Sequence, residues 1–262
     1  MNARTLTLAS SLALGGMWAL SAQEFRIETQ VYSGNQTKPV SENLTLFLPN
    51  IVYDFLFAPE NPATTSEIVV FDLAKNRLVL LDVNREVKLE MTVEELNQLV
   101  AAQRESDIWR ERGAFLLSPR FDVAYDEAGA KIELTSKQMS YIATVQTPPK
   151  STAYPMYGQF LDAYAKLNAT DPQKLPPFPR LELNRELKSR HLIPTEVAMT
   201  IELPFNGIGT RTISATSKHS VIWQLSKTDH ERIETVNKHW TGFRRVQLAE
   251  YRNLPSGMAK QQ

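Results

Sequence analysis

Residues 25–32 (FRIETQVY) alternate apolar and polar positions, the period-two pattern of a strand with one buried face. After Ser33-Gly34-Asn35, two apolar runs at 44–48 and 51–57 flank Pro49-Asn50. Pro followed by Asn suits the centre of a tight turn, so a hairpin is expected there. Residues 58–66, with Pro59 and Pro62, read as a loop. Three further β-rich runs follow at 67–73, 77–83 and 87–91, separated by Ala74-Lys75-Asn76 and Asn84-Arg85-Glu86. At Thr92 the period changes. Thr-Val-Glu-Glu sets an N-cap hydroxyl three residues before an acid, and Val93, Leu96, Leu99 and Val100 recur at helical spacing. This predicts a helix from Thr92 to about Glu105.

Residues 108–118 fit neither period. Runs at 121–125 and 131–135 predict another hairpin across Asp126-Glu127-Ala128-Gly129, with Gly129 as the residue of positive φ. A strand is expected at 139–145 and a second helix at 155–167, where Tyr157, Phe160, Leu161 and Tyr164 share a face. Residues 168–180 hold Pro172, Pro176, Pro177 and Pro179 and read as an extended strap across the surface. Strands at 196–203, 210–215 and 219–225 close the pattern. A long last helix runs from Thr228-Asp229 to about Arg252, with Ile233, Val236, Trp240, Phe243 and Tyr251 as its apolar stripe. Many short strands without regular β–α alternation disfavour a doubly wound parallel sheet. The expected fold is α+β: a large curved antiparallel sheet with about three helices packed on one face, in a single domain over 23–262 with the Pro-rich strap near 172–179.

The first 22 residues read differently from the rest. Met1 to Arg4 carries one positive charge, residues 5–20 (TLTLASSLALGGMWAL) carry none, and Ala19, Ser21 and Ala22 are small. That is the plan of a secretory signal peptide, with cleavage expected after Ser21 or Ala22. The stretch is short for a membrane span, which needs ~20 apolar residues. No second run of spanning length follows, so no transmembrane span is expected once the signal is removed. The expected location is the periplasm or cell envelope.

Composition removes several chemistries. Lys+Arg 29 balances Asp+Glu 29, so no global basic field draws the chain to nucleic acid. Cys 0 excludes disulfides, thiolate nucleophiles and cysteine-ligated metals. No G-x-S-x-G, G-x-G-x-x-G or G-x-x-x-x-G-K-[ST] occurs, and Gly207-Ile208-Gly209 lacks the third glycine of a phosphate loop. His230 and Glu234 stand four apart, but H-E-x-x-H needs histidine where Glu234 stands. A solvated helix face is the plainer reading for both, and His239 beside Trp240 reads as a boundary residue. Asp72 and Asp82 each end an apolar run, and like charges directly opposite are unfavourable, so they are expected near strand ends. Arg244, Arg245 and Arg252 are mixed with Glu234 and Glu250 and read as a solvated face. No cofactor, metal or catalytic residue is expected.

The abundant feature is apolar. Leu46, Tyr53, Phe55, Phe71 and Leu80 are placed to line one sheet face, either as core under the helices or as an open cavity for an apolar ligand.

The run ENLTLFLPNIVYDFLF, followed by EIVVFDLAKNRLVLLDVNREVKLEMTVEEL, resembles the meander of exported proteins of the LolA/LolB-like type and related exported domains of unknown function. Here the pattern is Phe71-Asp72, Leu81-Asp82, then Thr92-Val93-Glu94-Glu95-Leu96, within about residues 25–104. The resemblance implies a half-open barrel with helices plugging its concave side, acting on lipid acyl chains or a lipoprotein. The chain departs from that type in being longer beyond about Phe115 and in lacking a lipobox cysteine. The expectation is an exported non-enzymatic protein that binds a lipid or other apolar ligand. The alternative is a structural or protein-interaction module with an envelope protein as partner. A hydrolase built on scattered acids or a His230 metal site is the third reading.

Overall fold

The computed structural model describes residues 24–105, 107–171, 174–205 and 209–253. The expected signal peptide, Pro172, most of the Gly207-Ile208-Gly209 stretch and the tail from 254 lie outside the described residues. One twelve-stranded sheet runs through the molecule, antiparallel except at one edge pair. The first six strands form a meander: β1 (Phe25–Ser33), β2 (Ser41–Leu48), β3 (Ile51–Ala58), β4 (Asn61–Asp72), β5 (Arg77–Asp82) and β6 (Val87–Thr92). Helix α1 (Val93–Arg104) follows, then α2 (Asp107–Gly113) and a 3-10 turn at Ala114–Leu116. Strands β7 (Asp122–Asp126), β8 (Lys131–Thr135) and β9 (Met139–Gln146) precede α3 (Ala153–Asn168) and α4 (Phe178–Arg190). Then come β10 (Ile193–Phe205), β11 (Gly209–Ile222), α5 (Lys227–Gly242), β12 (Arg244–Arg245) and α6 (Leu248–Tyr251). The order across the sheet is β12-β6-β5-β4-β3-β2-β1-β11-β10-β9-β8-β7, so β11 returns to pair with β1 and joins the two halves. The fold is α+β, as the pattern predicts.

Local chemistry accounts for several of these boundaries. Thr92 caps α1, with its hydroxyl accepting from the N–H of Glu95 while the Glu95 carboxylate accepts from the N–H of Thr92. Asn50 takes φ 63° in the β2–β3 turn, as the Pro-Asn pair requires. In the β7–β8 turn the positive φ falls on Ala130 (49°), not on Gly129. Gly129 is needed for space instead: its N–H donates to Asp126 Oδ1 at 2.9 Å, and a Cβ there would stand 2.3 Å from Asp126 Oδ2.

Four expectations need correction. The loop at 58–66 is mostly strand, because β4 extends back to Asn61 and pairs Asn61 with Ala58. The Pro-rich strap ends in a helix: Pro177 stands at the N-cap of α4 and Pro179 in its first turn, where missing N–H groups have no helical partner to lose. The two short strands expected at 210–215 and 219–225 are one strand, β11. The last helix starts two residues earlier, capped by Ser226, and stops at Gly242, leaving Tyr251 to the separate helix α6.

The helices also do not share one face. On one side of β1–β6, Phe25, Phe47, Phe71, Leu80 and Leu89 pack under Leu96 of α1 and Tyr157 and Phe160 of α3. On the other side, Leu44, Leu46, Tyr53, Phe55, Val70 and Leu81 pack under Val236, Ile233 and Trp240 of α5. The runs IVVF and LVLL are apolar at successive positions, and VYDFLF is so apart from Asp54, so both faces of these strands need cover. A third cluster sits beneath α4, where Leu183 and Leu187 cover Ile132, Leu134, Tyr141 and Val197. Among the described residues the α5 side of β8–β11 carries no helix of comparable contact; it presents mostly Thr, Ser, Glu and Lys, with Ala198 and with Ile142 40% exposed. Among the described residues no helix is long and apolar enough to cross a membrane.

Candidate functional site

The five residues marked for an apolar ligand do not form one face. Leu46, Tyr53 and Phe55 lie under α5, while Phe71 and Leu80 lie on the opposite side under α3. They are 0, 6, 3, 3 and 0% exposed. Adjacent strand residues point to opposite faces, and antiparallel partners share a face, so Leu46 and Tyr53 pair across β2–β3 while Leu80 follows Val79 onto the far side.

The remaining marked side chains occupy structural positions. Asp72 and Asp82 stand at opposite ends of the β4–β5 hairpin, where Asp72 accepts from Arg77 at 3.1 Å and Asp82 from Arg85 at 2.7 Å. His230 lies half-exposed, 3.9 Å from Glu24, and the ring of His239 lies tilted against that of Phe243 with centroids 4.8 Å apart. Arg244 pairs with Glu250 at 2.7 Å, and Arg252 donates to Thr170 at 3.3 Å. Among the described residues no group of three His, Asp or Glu is placed to hold a metal ion.

Polar groups that the sequence pattern does not single out gather in three places. The first is Asp54, in the middle of the apolar run of β3 and 1% exposed. It faces α3, and its Oδ1 accepts from Thr45 Oγ1 and Asn43 Nδ2, both at 2.6 Å. Burial pushes its carboxyl up to about 6, against the opposing hydrogen bonds from Thr45, Asn43 and Tyr164; the charge of Glu67 adds to the rise. Glu67 in turn accepts from Tyr251 Oη at 2.9 Å, which ties α6 to the sheet. The signal for this cluster is an acid flanked on both sides by apolar strand residues.

The second is a polar seam between the two cores on the helix side. His219 of β11 stands opposite Thr29 of β1. Its Nδ1 lies 3.0 Å from Thr29 Oγ1 and its Nε2 2.9 Å from Ser217 Oγ. Burial, with the Arg180 guanidinium nearby, holds the imidazole down to about 3. A ring so held stays neutral throughout the physiological range, with one nitrogen donating and the other accepting. Two hydroxyls satisfy both roles, so His219 serves as a crosslink between β1 and β11. Arg180 donates to Asn184 at 3.0 Å, and Asn184 to Asp162 at 3.0 Å, so the same seam joins α3 to α4.

The third is a cleft of about 530 Å³ on the α5 side, where the N-terminus of α5 stops short and leaves β1, β10 and β11 open. One wall is fixed by Arg26, whose Nη1 donates to both carboxylate oxygens of Asp229 at 3.1 Å and which also pairs with Glu28. Asp229 is itself held by the capping box of α5, accepting from the N–H and hydroxyl of Ser226 at 2.7 Å each. Across the floor, register sets Lys218 beside Gln30 and Glu196, and Ser220 beside Glu28. Glu42 of β2 accepts from Gln30 at 3.1 Å. Lys218 lies 5.5 Å from the ring of Tyr32 and Arg232 lies 5.8 Å from that of Phe57. The cleft therefore presents both signs of charge on a hydroxyl-rich floor. Leu44 and Phe57 also line it.

No family model matches the chain, and no curated protein matches it. A solved structure described as PNGF-II in a P21 space group is similar over 86% of this chain, at 11% identity and a TM-score of 0.34. The chain spans about a third of that structure's length (32%), and a likeness at this level carries no argument about fold or activity.

Proposed function

We propose that the protein is an exported, non-enzymatic interaction module of the cell envelope. The cleft at the N-terminus of α5 is its binding site for a partner bearing both acidic and basic groups. The observation that supports this reading is the contrast between the two kinds of surface. The apolar residues that would hold an acyl chain are closed beneath helices, whereas the cleft is polar, charged and accessible. Charged groups across such a surface set partner choice and association rate more than raw affinity. A lipid carrier in the LolA manner would present an open apolar face, whereas here the apolar residues of these strands pack under α1, α3 and α5.

The test is site-specific photo-crosslinking in cells. A photoreactive residue at Ser220, on the exposed floor of the cleft, is expected to give discrete protein adducts. The same residue at Thr241, on the outer end of α5, is expected to give none. Lys218→Glu should remove the Ser220 adducts without changing expression. Adducts of equal pattern at both positions, or adducts insensitive to Lys218→Glu, would remove the cleft from the account.

A further inference from the structure

The two edges of the sheet are treated differently. At one edge β6 is covered: Arg244 N–H donates to Glu86 O at 3.0 Å and Val246 N–H to Lys88 O at 2.8 Å, so β12 and α6 close that side. At the other edge β7 pairs only with β8 among the described residues, and every residue from Asp122 to Asp126 is exposed. An edge strand offers a row of unpaired N–H and C=O groups to any extended chain. Proteins commonly blunt such edges with short strands, charge, proline, lysine or a bulge. The five residues DVAYD carry charge in Asp122 and Asp126, which disfavours an acidic or identical strand, but they have no proline, lysine or bulge, and the register with β8 is unbroken from Asp122↔Thr135 to Asp126↔Lys131.

The side chains say which chain would fit. On the helix side, Val123 and Tyr125 are 40% and 38% exposed although they pair with the buried Leu134 and Ile132, and the Arg190 guanidinium of α4 lies 5.0 Å over the Tyr125 ring. Beside Val123 lies a notch of about 300 Å³ lined by Pro119, Phe121 and Leu134 together with Arg120 and, from α4, Glu182 and Arg185. On the other side stand Asp122 and Asp126 with the small Ala124 between them; across on β8, Lys131 stands opposite Asp126 and is ion-paired with Glu133, which stands opposite Ala124. Pairing of two copies about a two-fold axis at Ala124 would set Asp122 of each against Asp126 of the other, and like charges directly opposite are destabilising. Basic residues at those two positions would be favourable instead.

We propose that β7 is a strand-addition site for an extended segment of another polypeptide, with basic residues at alternate positions against Asp122 and Asp126 and apolar residues over Val123, Tyr125 and the notch. This goes beyond the cleft reading and does not depend on it, since β7 lies at the far end of the sheet from α5.

The experiment uses the full chain and two blocked synthetic peptides, Lys-Val-Thr-Val-Lys and Glu-Val-Thr-Val-Glu. Amide hydrogen exchange is followed residue by residue. The basic peptide is expected to slow exchange at residues 122–126 and to bind about tenfold more tightly than the acidic one at low salt, the preference shrinking as salt is added. Asp122→Lys should abolish the preference, since one acid and one base then face either peptide. This position is chosen over Asp126 because Asp126 also holds the turn through Gly129. Lys218→Ala in the cleft should leave peptide binding unchanged, so a failed cleft and a failed edge give different results. The proposal is overturned by binding without protection of β7, by equal binding of the two peptides, or by protection of β7 that rises with protein concentration alone, which would assign the edge to a second copy.

Discussion

Asp229→Ala is expected to lower the unfolding free energy by about 3 kcal/mol, read from urea denaturation at pH 7. The carboxylate is 1% exposed and closes two structures at once. It completes the capping box of α5 with Ser226, and it receives both hydrogen bonds of Arg26 from β1. Loss of a cap accounts for about 1 kcal/mol. The rest comes from leaving Arg26 without its buried counter-charge; the side chain of Arg26 is 21% exposed, so water offsets part of that penalty. The effect reaches the core because α5 lays Val236, Ile233 and Trp240 over one whole face of β2–β5. Its pH dependence has a definite sign. Burial alone would raise this carboxyl, but the Ser226 N–H and hydroxyl, with Arg26, outweigh it and hold the group below its ordinary 3.8. The folded protein therefore holds fewer protons than the unfolded one near that value. The stabilisation is complete above 3.8 and fades as pH falls through the lower folded value, so the deficit of the Ala variant should narrow only in strong acid.

Asp54→Asn is expected to do the reverse: it should stabilise the protein at pH 7.5 by about 2–3 kcal/mol and change little at pH 4. Burial pushes the Asp54 carboxyl from 3.8 up to about 6, so the folded state binds a proton that the unfolded state releases between those values. Stability from this group is greatest below 3.8 and is lost as pH rises through 6, a span worth about 3 kcal/mol. The amide keeps the oxygen that accepts from Thr45 and Asn43, and the phenol of Tyr164 turns from donor to acceptor. Urea midpoints of both proteins at pH 4 and 7.5 provide the check. A variant less stable than the parent at pH 7.5 would show that the ionised carboxylate is better solvated by its neighbours than its burial implies.

These two aspartates mark where reading the sequence succeeds and where it stops. The capping box at Thr92 and Glu95 and the Pro49-Asn50 turn are local devices, and each was legible from a few neighbouring residues. Helix α4 was hidden because its first turn carries the prolines of an extended strap; the same residues serve both, and only the packing of Leu183 and Leu187 decides. The division of Leu46, Tyr53 and Phe55 from Phe71 and Leu80 depends on register between strands, which alternation within one strand does not fix. In runs apolar at every position the alternation itself vanishes, and so the face covered by α5 went unseen. The cleft depends on residues from β1, β2, β10, β11 and α5, more than 200 positions apart at its extremes, as in the Arg26–Asp229 pair (|i−j| = 203). Asp54 alone left a trace in the sequence, an acid inside VYDFLF, because a strand with two buried faces gives every side chain an interior position.

The claim on which the account turns is that the apolar faces of the sheet are filled and that recognition belongs to the polar surface. Native mass spectrometry of the protein purified without detergent, followed by denaturing lipid extraction and by titration with phospholipid, tests it most directly. The account predicts the bare polypeptide mass, unchanged across the titration. A discrete extra mass that is lost on denaturation and extracts as a lipid would contradict it and return the apolar core beneath α3 and α5 to the role of a carrier's chamber.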